Sequence, residues 1–156
     1  IKILKSNLYR HIEWPIVIML AAMIPIGQAL ESTGITEMIA GGVVSLAGDL
    51  HVFWLLMIIL VITMLITDVI NNAATAVIMA PFSVNIAVQL GQPLEPFLMV
   101  VAVGASCAFL TPIGHQCNTL VMGPGNYKFS DYWRLGLPID ILIVLTSIPM
   151  ILFVWL

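Results

Sequence analysis

Apolar residues run along this chain in long blocks, and few charges punctuate them. Positions 14–30, 50–67, 69–94, 96–127 and 141–156 contain no Asp, Glu, Lys or Arg. A bilayer core of about 30 Å takes about 20 apolar helical residues to cross. Several blocks are long enough, so the pattern predicts an all-α, polytopic membrane protein with about five membrane-crossing segments.

The punctuation sets the expected boundaries. Residues 1–13 carry Lys2, Lys5, Arg10 and Glu13 and read as a juxtamembrane lead-in to a transmembrane unit over 14–156. Trp14 and Pro15 open a first span that runs to about Leu30, with Trp at interface depth and Pro in the first turn. A shorter helix is expected from Ile35 to about Ala47, a span from His51 to about Ile66, and a last span from about Leu135 to Leu156.

Two blocks depart from a simple helical pattern. Residues 67–90 hold Thr67, Asp68, Asn71, Asn72 and Thr75, then Pro81, Ser83, Asn85 and Gln89, in sequence otherwise at membrane depth. A re-entrant helical hairpin over 67–90 fits these. Residues 97–122 are interrupted by Thr111-Pro112-Ile113-Gly114-His115-Gln116-Cys117-Asn118. Pro removes a helical hydrogen bond and Gly weakens the helix, so a broken helix is expected there. The Lys and Arg positions put both ends of the chain on the cytoplasmic side, with Glu31, Glu37 and Glu95 outward.

Composition narrows the function classes. Apolar residues make up 61% of the chain and charged ones 8%, against about 25% charged in a soluble domain. The net charge of −3 comes with no basic patch, so nucleic acid is not an expected partner. Cys107 and Cys117 have no second pair with which to build a zinc site or disulfide framework. The nine Met residues read as helix packing. The chain begins at Ile1 without an initiator Met and reads as a piece of a longer protein.

The candidate chemistry lies in the polar clusters at 67–75 and 111–119. Irregular backbone survives at membrane depth only where protein buries it or water lies beside it. Discontinuous helices offer N-terminal amides to anions and C-terminal carbonyls to cations. Amides and hydroxyls of Asn72, Thr75, Asn118 and Thr119 suit a carboxylate or sulfate, and carbonyls near Ile70 and Gly114 suit a dehydrated cation. Asn and Thr bridging helices is the structural alternative. Asp68 is either an intramembrane functional acid or a group at a wet mouth. His115 could bind anion, relay protons or cap a helix. No nucleophile–base spacing supports a hydrolase at Asp68 or His115, so an enzyme is not expected.

The run Asn71-Asn72-Ala73-Ala74-Thr75-Ala76 followed by Pro81 resembles the Ser-Asn-Thr hairpin motif of the divalent anion:sodium symporters. Ala105-Ser106-Cys107-Ala108-Phe109-Leu110-Thr111-Pro112 followed by Asn118 is similar to that family's second broken helix. The resemblance covers essentially the whole chain and one of the family's two inverted repeats, the C-terminal one.

It implies a secondary active transporter, a symporter moving a small divalent anion with sodium or protons. It implies cation contacts at Thr67, Ile70, Asn72 and Gly114, with sodium as the coupling ion and no other cofactor. It implies substrate contacts at Asn71, Asn72, Ala73, Thr75, His115, Asn118 and Thr119. His115 stands where dicarboxylate carriers have a substrate-contacting Thr, and Gln116-Cys117 where they have Pro-Pro. Gly114 to Thr119 look more like the sulfate-permease-like branch, so sulfate is preferred over a dicarboxylate. Expected partners are the anion, the lipid of the plasma (inner) membrane, the N-terminal half of the same transporter and a second copy in a homodimer. A passive anion channel on the same broken helices, or a nonfunctional half-transporter, are the alternatives.

Overall fold

The computed structural model describes residues 51–156 together with Ile18, Ala21, Pro25, Ala29, Ser32, Thr33, Gly34, Met38, Gly41 and Gly42. The lead-in at 1–13, and most of the expected first span and of the short helix at 35–47, lie outside the described residues. From residue 51 onward the chain forms five helices and no strand. They are α1 (Val52–Thr67), α2 (Asn72–Gln89), α3 (Leu94–Ala105), α4 (Gln116–Met122) and α5 (Phe129–Trp155).

Local chemistry starts and stops them. The His51 ring caps α1 by accepting from the Phe53 amide through Nδ1, at 3.3 Å. After Thr67 the Asp68 and Ile70 amides donate to Met64 and Ile66 carbonyls, which satisfies the end of the helix. Asn71 caps α2, its Oδ1 accepting from the Ala74 amide at 2.8 Å. Gly91 turns the chain out of α2 at φ +62°, a left-handed conformation that glycine adopts without strain. Pro96 falls in the first turn of α3, where no amide is needed.

α3 is the centre of the described fold and packs against both α1 and α2. Its Phe97, Val100 and Val101 are buried with Leu56, Ile59 and Leu60 of α1 and Ile86 and Ala87 of α2. Ser83 of α2 is also fully buried and donates to the Phe97 carbonyl at 2.9 Å, so its hydroxyl costs the core little. Near its end α3 closes on α1 through Gly104, where a Cβ would stand 2.8 Å from Thr63 Cβ. That close approach brings the C-terminal ends of α1 and α3 together.

α5 is different. Over its 27 residues only Gly136, Ile148 and Ile151 are buried, while Leu142, Leu145 and Phe153 are exposed. An apolar surface of this kind needs lipid or further protein against it. By length and composition α2 and α5 could each cross a membrane. α1 and α3 reach only ~24 Å and ~18 Å at 1.5 Å per residue.

Three expected boundaries change. The hairpin was expected over 67–90, but residues 72–89 are one continuous helix and the turn lies before it, at 68–71. The polar residues of α2 do not break it, because Ser83 finds a partner across the interface and α2 continues through Pro81. The helical interruption was expected near 111–118, but the chain leaves the helix at Ser106 and re-enters it at Gln116. Pro112 disrupts only its own neighbourhood, and the earlier unwinding is held by tertiary hydrogen bonds described below. The last helix starts at Phe129 rather than Leu135, with Asp131 Oδ2 accepting from the Lys128 amide at 2.8 Å to cap it.

Candidate functional site

The turn at 68–71 and the break at 106–115 are far apart in sequence and meet in space. Thr67, fully buried at the end of α1, brings its Oγ1 within 2.9 Å of Asn72 Oδ1 and 3.0 Å of the Ala105 carbonyl. Asp68 accepts from the Leu110 amide through Oδ1 at 3.0 Å. Its carbonyl accepts from Thr111 Oγ1 at 2.6 Å. Gly114 closes the junction, since a Cβ there would lie 3.0 Å from the Thr67 carbonyl and 3.1 Å from Asp68 Cα. Two helix C-termini, of α1 and α3, thus converge with the N-terminus of α2. Such ends carry partial charges of opposite sign, the carbonyl ends negative and the amide end positive.

Oxygen is in surplus on the carbonyl side. A hydroxyl has one proton, so Thr67 cannot serve both of its acceptors in full. Asp68 is 3% exposed, and its second carboxylate oxygen has no hydrogen-bond partner among the described residues. Buried oxygens short of donors fit a hard cation, which takes oxygen ligands. Thr67, Asn72 and the buried Asp68 supply oxygens that could hold such an ion, and Gly114 packs against them. Ile70 lies on the turn with its side chain exposed. Among the described residues no cluster of His, Cys, Asp and Glu suits a transition metal.

Fewer of the predicted donors are uncommitted than the sequence suggests. Asn71 uses its side-chain oxygen to cap α2. The Asn72 and Ala73 amides open the helix, where the first turn has no carbonyls to bond. Thr75 is fully buried one turn in, its hydroxyl without a hydrogen-bond partner among the described residues.

In the second cluster the donors are already engaged. Asn118 Nδ2 donates to the carbonyls of Ala108 at 2.8 Å and Thr111 at 3.1 Å. Thr119 donates to the Pro112 carbonyl at 2.6 Å. These two side chains hold the unwound segment in shape, and their donors are not available to a substrate in this arrangement. His115 caps α4, its Nδ1 accepting from the Cys117 amide at 3.2 Å. That bond puts the proton on Nε2. The ring is exposed beside a hollow of about 240 Å³ lined also by Ser106, Ala108, Phe109, Cys117 and Asn118.

Residues outside the two motifs complete the junction. α5 presses on the break at Gly136, where a Cβ would collide with the Phe109 carbonyl. Tyr132 donates to the Asn118 carbonyl at 2.7 Å and ties α5 to α4. Asp140 lies one turn beyond Gly136, outside both motifs. It was legible as the one charge between residues 135 and 156.

Comparison with known proteins bears on this junction. Residues 2–104 match the family model described as citrate transporter. The chain belongs to that family. The match agrees with the resemblance to divalent anion:sodium symporters carried by residues 71–76 and 105–118. The chain is 40% identical over 146 residues to the uncharacterized transporter YfbS of Escherichia coli, covering 94% of this chain and 24% of that protein. It is 35% identical over 150 residues to an uncharacterized transporter of Synechocystis, covering 96% of this chain and 24% of the relative. Sodium/sulfate cotransporter 2 of Chlamydomonas reinhardtii is 28% identical over 139 residues, with 88% of this chain and 16% of that protein covered. The chain spans about a quarter of the length of the first two relatives. These relatives are transporters by name.

Proposed function

We propose that this chain provides one side of the binding site of a sodium-coupled symporter for a compact divalent oxyanion, with sulfate preferred over a dicarboxylate. The observation that carries the reading is the meeting of the two breaks at Thr67. There a shared hydroxyl, an under-bonded Asp68 carboxylate and the start of α2 lie side by side. Sodium would sit among the oxygens of Thr67, Asn72, Gly114 and the turn at Ile70. The anion would take donors from the Asn72 and Ala73 amides, Thr75 and His115. Asn71, Asn118 and Thr119 then act by shaping the two clusters. The name of the sodium/sulfate cotransporter relative supports this choice of anion and ion.

In this reading α1 and α2 are the arms of a re-entrant hairpin with its tip at 68–71, and α3 and α4 are the two parts of a broken helix. About five segments cross the inner membrane, the N-terminal half of the transporter closes the site, and two copies pair. No Lys or Arg lies between residues 69 and 127, so bound cations must balance the anion's charge. Anion affinity then rises with sodium concentration, and by linkage the anion raises sodium affinity by the same factor.

Asn72 is the test, because its amide faces both ligands. In proteoliposomes containing the complete protein, Asn72→Ala is expected to insert normally and to lose sodium-dependent sulfate uptake. Normal sodium-dependent uptake by that variant removes Asn72 from the mechanism. Competition settles the anion: thiosulfate and molybdate should block sulfate uptake better than succinate does, and the reverse order returns the site to a dicarboxylate.

A further inference from the structure

The start of α5 has the composition of a membrane interface. Tyr127, Phe129, Tyr132 and Trp133 are grouped there with Lys128 and Arg134, and Tyr127, Phe129 and Trp133 are exposed. Aromatic rings with Lys and Arg beside an apolar span belong at headgroup level. From this end the apolar remainder of α5 runs into the bilayer.

A hollow of about 190 Å³ opens at the same place, between α4, α5 and the break. Along α5 it reaches from Asp131 to Ile139, ~12 Å at 1.5 Å per residue. Its deeper walls are apolar, with Leu135 and Ile139 of α5, Val121 of α4 and Phe109 of the break. Charge gathers at the mouth. Asp131 lines it, and Asp131 Oδ2 holds the Lys128 amide at 2.8 Å, so the two opposite charges stand together.

The turn between α4 and α5 shapes that mouth. The Gly125 and Tyr127 amides donate to the Val121 and Met122 carbonyls, and Asn126 takes a left-handed φ of 52°. The Tyr127 ring is seated against Gly125 and meets Tyr132 edge-to-face at 6.2 Å. Tyr132 is fixed in turn by its bond to the Asn118 carbonyl.

An apolar cleft that begins at headgroup level and runs toward the bilayer centre fits an acyl chain. The charges at its mouth select the headgroup. A purely anionic headgroup would meet Asp131 as a like charge. A headgroup with both a phosphate and an ammonium matches the pair. The phosphate accepts from the Lys128 ammonium, and the lipid ammonium donates to Asp131, whose carboxylate has acceptor sites beyond the one taken by the Lys128 amide. The exposed Tyr127 ring offers its face to the same cation. A choline headgroup carries the charge but has no N–H to donate.

We propose that this hollow binds an amine-bearing phospholipid, one acyl chain lying between α4 and α5 and the headgroup resting on Asp131 and Lys128. The inference needs only that the chain lies in a membrane and is independent of the anion carried.

The test uses the complete protein in nanodiscs of equal parts phosphatidylethanolamine, phosphatidylcholine and phosphatidylglycerol, with native mass spectrometry reading the lipids it retains. Wild type should retain phosphatidylethanolamine over both of the others. Asp131→Asn keeps an oxygen to cap α5 and should lose the preference over phosphatidylcholine. Ile139→Trp fills the apolar end and should lower retention of phosphatidylethanolamine. If that variant does not fold, Val121→Phe narrows the hollow from the α4 side and should do the same. No preference in wild type, or a preference unaltered by Asp131→Asn, overturns the proposal. So does retention unchanged by the filling variants, the result expected if the rest of the transporter covers the hollow.

Discussion

The same substitution, Thr to Val, made one turn apart on α1 separates a packing role from a junction role. Thr63 and Thr67 are both fully buried, and Val matches the shape of Thr closely. Their hydroxyls do different things. Thr63 Oγ1 donates at 2.6 Å to the Ile59 carbonyl, four residues back on its own helix. That carbonyl already accepts the helical amide bond, so losing the hydroxyl leaves nothing unpaired, and Thr63→Val should change stability by no more than ~0.5 kcal/mol. Thr67 Oγ1 reaches the Ala105 carbonyl and Asn72. Thr67→Val strands a buried carbonyl at ~1–3 kcal/mol and loosens the Asn72 amide by ~1 kcal/mol. The expected difference between the two variants is thus ~1.5–4 kcal/mol, above the 1.4 kcal/mol of a tenfold change.

The assay is the sodium dependence of anion uptake in proteoliposomes, paired with thermal unfolding in detergent. Thr63→Val should stay within about twofold of wild type in sodium affinity. Thr67→Val should lose at least about tenfold, and Thr67→Ser, which restores the hydroxyl, should recover most of it. Equal effects of the two Val variants would refute the claim that the hydroxyl joins the breaks. So would a Thr67→Ser as impaired as Thr67→Val.

Other substitutions probe neighbouring contacts. Gly114→Ala places a Cβ 2.9 Å from Ala108 Cβ and 3.0 Å from the Thr67 carbonyl. Overpacking of that kind costs ~1–3 kcal/mol, so sodium affinity should fall several-fold, read from the half-saturating sodium concentration. Gly136→Ala meets backbone rather than a movable side chain, so it should lower the unfolding temperature in detergent more than Gly123→Ala, where the added Cβ meets open space. Tyr132→Phe loses one hydrogen bond to the Asn118 carbonyl. It should cost ~1 kcal/mol in thermal stability and leave sodium affinity unchanged.

The sequence determined by itself that lipid is a solvent for this chain. Blocks without charge and an apolar share of 61% say so without any structure. It also announced that two regions depart from plain helix, because polar residues crowd 67–75 and Pro112 cannot donate a helical bond. These are local properties, read from neighbours a few positions apart.

What those interruptions do was decided by tertiary structure. The bonds that unwind the chain from Ser106 join residues 42 and 43 positions apart, Leu110 and Thr111 to Asp68. No periodicity along the sequence reports a partner at that distance. For the same reason Asn118 and Thr119 read as donors for a substrate, while the fold commits their donors to carbonyls of the break. Asp68 could have stood in water or in protein, and the packing of the break over it left it 3% exposed. Ser83 looked like a mark of irregularity in α2 and is a satisfied core group, because the Phe97 carbonyl faces it. A polar residue states which bonds it can make, and only the folded chain supplies the group that makes them.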